Sequence, residues 1–535
     1  INNNDKPYIY RMGLVLIVLG IIGLICSITA QYFAAKAATG FAAKLRYALF
    51  SHVESLSFTE MDEVGVSTLI TRMTSDVNEL QAGVNMALRL FLRSPFIVLG
   101  AMVMAFFYDA KTAFLFVAAI ILLSAVIFGI MAVCTPLYKK VQGILDKVLG
   151  KTRENLSGVR VIRAFSREAE EEEEYSRENE RLAKAQIFVG KISALTNTMT
   201  YVIVNLTLVL LLWNGGIRIE AGSLKQGQIV ALVNYLAQIL VELIKLASTI
   251  VLTNKSLACA ERIAGVFQMK SSLEGNKIPD RKEERKEKQE IMQEKVVFSH
   301  VSLCYKSAQE SSVKEVSFSA HTGETVGIIG GTGSGKTSLV SLIPRFYDAT
   351  EGCVYVDGMD VRTWELEKLR SKIGMVMQKA VLFQGTIREN LLWGNENASE
   401  TDLREALEIS QAWEFVEKKE KGMESHVEQG GRNFSGGQKQ RLSIARALVR
   451  KPEILIFDDS SSALDYVTDK KFREGLERLS YHPLIFMVSQ RTSSIRHADK
   501  ILVLEDGNVV GFGTHEELLE HSETYREIHE SQGEK

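Results

Sequence analysis

Five long apolar stretches in the first half of the chain restrict its fold more than any other feature. A helix needs about 20 mostly apolar residues to cross the hydrocarbon core of a bilayer. The stretches of that kind are residues 12–33, 94–108 (extended back through 86–92), 113–134, 195–213 and 229–252. The extension requires Arg89 and Arg93 to lie at the membrane interface. The sequence therefore predicts a membrane-embedded all-α bundle with five spans.

Lysine and arginine are distributed unequally between the connections that join these spans. The long connections, residues 34–93 and 135–194, carry six and twelve of them. The short connections hold only Lys111 on one side and Arg218 and Lys225 on the other. Because cytoplasmic loops carry the excess of positive residues, we expect the long connections in the cytoplasm, as helical continuations of the spans. Residue 1 is then outside and the carboxyl-terminal domain is inside.

Composition divides the chain into three parts. We predict a transmembrane domain with long cytoplasmic helical loops over residues 1–263, a linker over 264–295 and a soluble α/β domain over 296–535. Residues 280–295 are almost wholly charged or polar, which is typical of a linker without a core. The net charge of −2 gives no electrostatic reason to expect a nucleic acid partner.

Two charged features have alternative interpretations. The acidic run 168–174 is expected to be a solvated helix face rather than a metal site. Glu242 and Lys245 stand three residues apart within the last span, on one helical face. Charges inside a membrane tend to face a polar interior. The two residues are either a mutually neutralising structural pair or a cavity-lining site that contacts substrate.

A phosphate-binding motif follows a short apolar strand at residues 324–329, and a helix follows the motif. This strand–motif–helix context is what the motif requires, because glycines allow backbone N–H groups to surround phosphates. Lys336 is expected to neutralise phosphate charge and Thr337 to bind Mg²⁺, which makes ATP and Mg²⁺ the predicted cofactors. The residues predicted to bind nucleotide here are Gly330, Thr332, Gly333, Ser334, Gly335, Lys336, Thr337 and Ser338.

A second apolar strand, residues 454–457, ends in Asp458 and Asp459. An acid at the carboxyl end of such a strand is the usual second Mg²⁺ contact in ATPases with this loop. We therefore predict Asp458 as a metal ligand, together with Thr337.

The segment 433–441, Asn-Phe-Ser-Gly-Gly-Gln-Lys-Gln-Arg, lies between these motifs. It resembles the signature sequence of ABC transporters, and with the phosphate loop the whole chain resembles an ABC exporter half-transporter. The resemblance implies that Gln378 contacts Mg²⁺ and the membrane domain. It also implies that Tyr305 stacks on adenine, although a tyrosine of a core strand is the alternative. Residues 462–465 also resemble the dimer-interface loop of the family, and residues 71–77 and 154–162 resemble its cytoplasmic-loop sequences near the coupling helices.

The family implies that two nucleotide-binding domains meet head to tail around ATP. The residues that one chain would present to the γ-phosphate held by its partner are Ser435, Gly436, Gly437 and Gln438. Closure around ATP would switch the membrane cavity from inward-facing to outward-facing. Exporter halves of this family have six spans, so we expect one further span and a cytoplasmic segment before residue 1.

Two positions depart from the family pattern. Asp459 stands where a glutamate normally orients the attacking water, and Gln490 stands at the switch position that is normally histidine. The shorter side chain withdraws the carboxylate by roughly 1.5 Å, and misplacement of that order can cost about a hundredfold in rate. An amide also offers no positive charge to the transition state. Together the two changes resemble the degenerate-site subunit of heterodimeric bacterial multidrug exporters.

These features predict an ATP hydrolase coupled to export across the bacterial plasma membrane, with catalytic positions at Asp459, Gln490 and Gln378. The expected partners are a second, non-identical half-transporter, membrane lipid and a small-molecule substrate that is drug-like or lipid-like. Drug, lipid and peptide exporters share this architecture, so the sequence does not choose among them. The alternative is an ATP-gated channel or regulatory ABC protein that binds nucleotide without pumping.

Overall fold

The computed structural model describes residues 6–91, 93–273, 294–306, 308–460 and 464–533. The chain forms two compact units, Ile1–Val53 with Ser67–Gln268 and Glu54–Val66 with Met269–Lys535. Most of the charged stretch 280–295 lies outside the described residues. The predicted linker boundaries therefore stay predictions.

Long helices build the first unit. The helices of the amino-terminal half are α1 (Lys6–Ser55), α2 (Phe58–Val64), α3 (Val66–Thr71), α4 (Val77–Met86), α5 (Arg93–Tyr108), α6 (Ala110–Ser157), α7 (Val159–Ala164), α8 (Glu168–Glu220) and α9 (Gln226–Gln268). Single π-helical turns occupy Arg72–Asp76 and Ala87–Phe91. Within the described residues, five helical stretches are long and apolar enough to cross a membrane. The predicted five-span bundle is confirmed.

The spans continue as helices well beyond bilayer length, as the sequence predicts. Helix α6 has 48 residues and α8 has 53, and a rise of about 1.5 Å per residue makes each more than twice as long as the hydrocarbon core is thick. The acidic run opens α8 and is mostly exposed. Lys151 Nζ lies 2.9 Å from carboxylate oxygens of both Glu171 and Glu174. The run is a solvated face with a cationic partner.

Glu242 and Lys245 form an ion pair on α9. Lys245 Nζ donates to one carboxylate oxygen of Glu242 at 3.0 Å, and the hydroxyl of Ser94 on α5 donates to the other at 2.7 Å. Glu242 and Ser94 are buried, whereas the side chain of Lys245 is 45% exposed. The carboxylate therefore joins α5 to α9.

A second buried carboxylate joins the π-helical turn after α3 to α9. Asp76 accepts from Arg262 Nε at 3.0 Å and Nη2 at 2.7 Å, and from Arg72 Nη1 at 2.8 Å. Asp76 is only 4% exposed. Bidentate pairing with arginine supplies geometry as well as charge neutralisation, so this cluster fixes the position of α9 against the turn.

The second unit is an α/β domain with two large sheets. Its strands are β1 (Val296–Leu303), β2 (Val313–Ala320), β3 (Thr325–Gly330), β4 (Glu351–Val356), β5 (Met359–Asp360), β6 (Ile373–Val376), β7 (Gly385–Thr386), β8 (His426–Val427), β9 (Ile454–Asp458), β10 (Leu484–Val488), β11 (Lys500–Glu505) and β12 (Asn508–Gly513). Its later helices are α10 (Lys336–Ser341), α11 (Leu366–Ser371), α12 (Ile387–Leu392), α13 (Glu400–Ile409), α14 (Trp413–Glu417), α15 (Gly436–Val449), α16 (Tyr466–Glu477), α17 (Thr492–Ile495), α18 (His515–His521) and α19 (Glu523–Ser531).

The six-stranded sheet has the order β12-β11-β3-β10-β9-β6 and is parallel from β11 to β6. Strands β9 and β10 are buried along their whole length, as is typical of parallel strands covered on both faces. An antiparallel sheet of order β2-β1-β4-β5 packs its apolar side chains into a second core with the helix α10. The predicted α/β domain is confirmed.

The segment Glu54–Val66, from the first long connection, belongs to this second unit. Helix α2 packs the ring of Phe58 against Phe346, with 4.7 Å between ring centroids. The hydroxyl of Tyr347 donates to Asp62 at 2.7 Å. A third contact involves Glu60, which is buried and accepts from the backbone N–H of Ser272 at 3.3 Å. Apolar and polar contacts together fix α2 in this unit.

We expect Asp76→Ala to destabilise the protein strongly. The substitution takes the bidentate partner from Arg262, whose side chain is 42% exposed, and loss of hydrogen bonds to a charged group costs about 1.5–3 kcal/mol. The midpoint of heat unfolding in detergent should fall by several degrees. The matched control is Glu79→Ala, which breaks the more exposed pair with Lys255 (2.7 Å) and should cost at most about 1 kcal/mol. Equal losses in the two variants would contradict the structural role of Asp76.

Candidate functional site

The carboxyl ends of four neighbouring parallel strands meet at one edge of the six-stranded sheet. In this register Val488 of β10 lies opposite Ile328 of β3 and Asp458 of β9, and Val376 of β6 lies opposite Phe457. Ligands of open α/β sheets bind at this edge. Each predicted catalytic or phosphate-binding motif begins within two residues of one of these strand ends, so the register brings the motifs together.

The loop between β3 and α10 has a conformation that requires glycine. Gly335 has φ +95°, and a Cβ there would lie 2.1 Å from the carbonyl oxygen of Ser312. Side chains other than hydrogen are therefore excluded by both backbone strain and close contact. Helix α10 follows this loop at once, with Gly335 as its N-cap and Lys336 as its first residue.

Lys336 is buried and held by the loop that it follows. Its Nζ donates to the carbonyl oxygens of Gly330 at 2.8 Å and Gly331 at 2.5 Å, and lies 3.2 Å from the hydroxyl of Ser334. Burial lowers the pKa of Lys336, and the nearby Asp459 opposes this shift. The ammonium group is an ordered donor with only its own loop as partner in the described part of the chain. It can exchange these carbonyls for phosphate oxygens.

Thr337 and Asp458 form a pair of oxygen ligands next to that lysine. The Thr337 hydroxyl donates to Asp458 Oδ1 at 2.9 Å, which leaves the lone pairs of the hydroxyl oxygen available. Burial raises the pKa of Asp458, against the effect of this hydrogen bond. Hydroxyl and carboxylate oxygens are the ligands that Mg²⁺ prefers. A divalent cation would relieve the cost of a buried negative charge.

Asp459 has an unusual backbone conformation, with φ +44°. Its N–H donates to the carbonyl of Val488 at 3.0 Å, and Gln378 Nε2 donates to its carboxylate at 3.3 Å. Burial raises the pKa of Asp459, and the Gln378 contact opposes this shift. A non-glycine residue in the left-handed region is strained, and such strain is concentrated at functional sites.

These groups line one cavity of about 310 Å³. Its walls are formed by Ser312, Thr332, Gly333, Gly335, Lys336, Thr337, Ser338, Gln378, Asp458, Asp459, Val488 and Gln490. The predicted phosphate loop, metal ligand, loop glutamine and switch residue therefore meet. Ser312 belongs to no sequence motif. Only the structure places it in the cavity lining, with its carbonyl oxygen next to Gly335.

Tyr305 lies beside this cavity rather than in its lining. Its hydroxyl donates to the side chain of Ser338 at 2.9 Å, and its ring meets Tyr347 edge-to-face at 5.1 Å between centroids. The ring is partly buried against the core of the antiparallel sheet. It thus has both a core contact and a position next to α10, and its stacking on adenine stays a prediction.

The signature residues are placed away from this cavity. Ser435 caps α15, with its hydroxyl accepting from Gln438 N at 3.3 Å while Gln438 Oε1 accepts from Ser435 N at 3.0 Å. Ser435 and Gly436 are exposed, and Gly437 is partly exposed. The N–H groups at this 14-residue helix end can therefore face another molecule. Of the predicted interface loop 462–465, the first two residues lie outside the described chain; Asp465 caps α16.

The chain matches two family models: the ABC transporter transmembrane region over residues 1–243 and the ABC transporter model over residues 313–462. An uncharacterized ABC transporter ATP-binding protein of Mycobacterium tuberculosis is 38% identical over 99% of this chain and 90% of its own length. A putative multidrug export ATP-binding/permease protein of Bacillus subtilis is 31% identical, over 93% and 85% of the two chains.

An ATP-dependent lipid A-core flippase of Syntrophus aciditrophicus is 30% identical, over 92% of this chain and 80% of the flippase. The solved structure of a bacterial Atm1-family ABC exporter with ATP bound matches with a TM-score of 0.76 at 24% identity, over 93% and 86% of the two chains. At that identity the structural match establishes the fold. The chain belongs to the ABC transporter family, as a multi-pass membrane exporter that binds ATP and couples its hydrolysis to transport.

Proposed function

We propose that this chain is the degenerate-site half of a heterodimeric exporter. It binds Mg·ATP at its own phosphate loop, hydrolyses it slowly, and completes the ATP site of a different half-transporter with its signature. The observation that carries the proposal is the pairing of Asp459 and Gln490 in one cavity, since each stands where the family uses a more effective group.

The nucleotide has a full set of contacts in this proposal. Lys336 exchanges its bonds to Gly330 and Gly331 for phosphate oxygens, which become its partners in the same buried position. Tyr305 turns from Ser338 to cover the base. Backbone N–H groups of the loop surround the phosphates.

Mg²⁺ is held by Thr337, Asp458 and Gln378, and when bound it neutralises charge on the phosphates. The distance of 2.9 Å between the Thr337 hydroxyl and Asp458 supports this ligand pair. The raised pKa of Asp458 supports it as well, because a cation is what a buried carboxylate needs.

Hydrolysis is the step that this site performs poorly. Asp459 is one methylene shorter than glutamate, and its carboxylate is engaged by Gln378 at 3.3 Å. Its pKa is raised by burial, which fits a base, but its reach toward an attacking water is reduced. Gln490 can hydrogen-bond the γ-phosphate and supplies no positive charge as the bond breaks. Binding is retained and the chemical step is slowed.

The proposed substrate is a drug-like or lipid-like amphiphile. Two relatives carry names of that kind, a putative multidrug export protein and a lipid A-core flippase. An ATP-gated channel is the second candidate, and stimulation of ATP turnover by transported compounds distinguishes the two.

Asp458→Asn should raise stability without nucleotide and abolish stabilisation by Mg·ATP. An acid whose pKa is raised by folding weakens the folded state increasingly as pH rises from its unfolded pKa through its folded pKa. The stability gain of the variant should therefore be largest at neutral pH and shrink as pH falls. Heat unfolding across pH, with and without Mg·ATP, measures both effects.

The control for that experiment is Asp469→Asn, which changes a buried carboxylate outside the cavity. This variant should retain the whole increase in the heat-unfolding midpoint that Mg·ATP causes in the wild-type protein. If Mg·ATP raises the heat-unfolding midpoint of Asp458→Asn as much as that of the wild-type protein, Asp458 is not a metal ligand.

The two ATP sites should be functionally unequal. The chain purified alone should show little ATPase activity, and co-expression with its partner should restore it. Within the pair, Asp459→Asn should matter modestly, whereas Ser435→Ala should nearly abolish turnover. Restoring the family residues with Asp459→Glu and Gln490→His should raise the activity of the isolated chain by about tenfold or more, because catalytic geometry recovers. Vanadate-sensitive ATPase assays provide the measurement.

A matched variant for the signature is Ser399→Ala, which removes a capping serine from a helix elsewhere in the unit. It should reproduce any loss of helix stability without loss of turnover. A homodimer of the wild-type chain that pumps and hydrolyses ATP at full rate would sink the heterodimer proposal.

Glu242 and Lys245 are expected to act as a structural pair. Glu242→Leu and Lys245→Met should each lower the yield of folded protein, since each breaks the ion pair on α9, and the double variant should recover it. Glu242→Gln should leave unchanged the set of compounds that stimulate the ATPase activity of the heterodimer. A changed set in a well-expressed Glu242→Gln protein would place the pair in the substrate cavity instead.

A further inference from the structure

The switch residue Gln490 lies between two anchored neighbours. On one side Ser489 is buried and its N–H donates to the carbonyl of Ile328 in β3 at 3.0 Å. On the other side Thr492 is fully buried at the start of α17. The side chain of Gln490 lines the nucleotide cavity, so the conformation of this short loop determines how far the amide reaches.

A glutamine from the end of the last described helix holds the second anchor. Gln532 Oε1 accepts from the backbone N–H of Thr492 at 2.9 Å and from its hydroxyl at 3.1 Å. The amide nitrogen of the same side chain donates to the carbonyl of Gln490 at 2.8 Å. One side chain therefore joins the residues on both sides of Arg491.

This contact fills a role that the local sequence leaves vacant. The N-cap of α17 is Arg491, whose side chain makes no capping hydrogen bond and has no acceptor atom. Helix N-caps are normally Ser, Thr, Asp or Asn, because their oxygen accepts from a free N–H of the first turn. Gln532 supplies that oxygen from 40 residues away in sequence.

Gln532 is itself held by a fixed helix. Tyr525 of α19 is fully buried, and its hydroxyl lies 2.7 Å from His515 Nδ1 in α18. The N–H of Gln532 donates to the carbonyl of His529 at 3.2 Å, and His529 Nδ1 lies 3.3 Å from the Thr492 hydroxyl. The amide thus extends from a rigid support to the switch loop.

We propose that Gln532 is a positioning residue that sets the Gln490 amide at the γ-phosphate. It contacts no nucleotide itself and acts through the backbone of the switch loop. The inference rests on the proposed role of Gln490 as the γ-phosphate contact. Its consequence is specific: Gln532 contributes to the binding of a triphosphate and contributes nothing to the binding of a diphosphate.

The test compares affinities for AMP-PNP and ADP in the purified full chain. Gln532→Ala should weaken AMP-PNP about three- to tenfold, the equivalent of one hydrogen bond, and leave ADP unchanged. Gln532→Glu keeps an oxygen for Thr492 and loses the donor to Gln490, so it should show most of the loss. The control is Ser531→Ala, which changes the side chain just before Gln532. Among the described contacts, the Ser531 hydroxyl donates only to the carbonyl of Ile528, at 2.8 Å. The affinities of this variant for AMP-PNP and for ADP should both equal those of the wild-type chain.

A double-variant comparison separates positioning from general stability. Adding Gln532→Ala to Gln490→Ala should weaken AMP-PNP no further, since the group being positioned is gone. Equal losses for AMP-PNP and ADP, or no loss in Gln532→Ala, would overturn the inference. If Gln490→Ala alone leaves the AMP-PNP to ADP ratio unchanged, the proposed role of Gln490 fails instead, so the two failures are distinguishable.

Discussion

The parallel hydrogen bonding of β10 between β3 and β9 is the constraint on which the nucleotide site depends. It sets Val488 level with both Ile328 and Asp458, so the loops that follow β3, β9 and β10 leave the same edge of the sheet within two residues of that level. A slip of one residue would turn every side chain to the opposite face of the sheet. The fully buried strands resist such a slip, because each would lose its apolar contacts on both faces. The chemistry is thus positioned by the core.

The same edge of the sheet concentrates groups that the folded state disfavours. Lys336 has a lowered pKa, and Asp458 and Asp459 have raised ones, in each case chiefly because they are buried. Asp459 also holds a strained backbone conformation. Conflict between local preference and global fold is expected at functional sites. In the proposed function, a bound nucleotide with its cation would supply the charges that these groups lack, and occupancy of the site would then be coupled to stability of the unit.

Much of this arrangement was predictable from sequence, because it depends on local patterns. Apolar length identified the spans, and the strand before Lys336 and the strand before Asp458 predicted the edge of the sheet at which the site motifs meet. Contacts between distant residues had no such signal. Asp76 and Arg262 are 186 positions apart, and Ser94 and Glu242 are 148 apart. The contact of Gln532 with Thr492 is equally hidden, since a lone glutamine after a helix carries no motif and only packing brings the two residues together.

The placement of α2 has a consequence for the construction of chimeric transporters. Asp62 and Glu60 fold with the ATPase unit through Tyr347 and Ser272, although the chain passes through the long helices of the other unit in between. A chimera that exchanges everything after residue 269 therefore divides one folded unit. The ATPase domain of one transporter would then have to pack against the α2 helix of another. Moving Glu54–Val66 together with the ATPase domain keeps that body intact. The natural module for recombination is discontinuous in sequence.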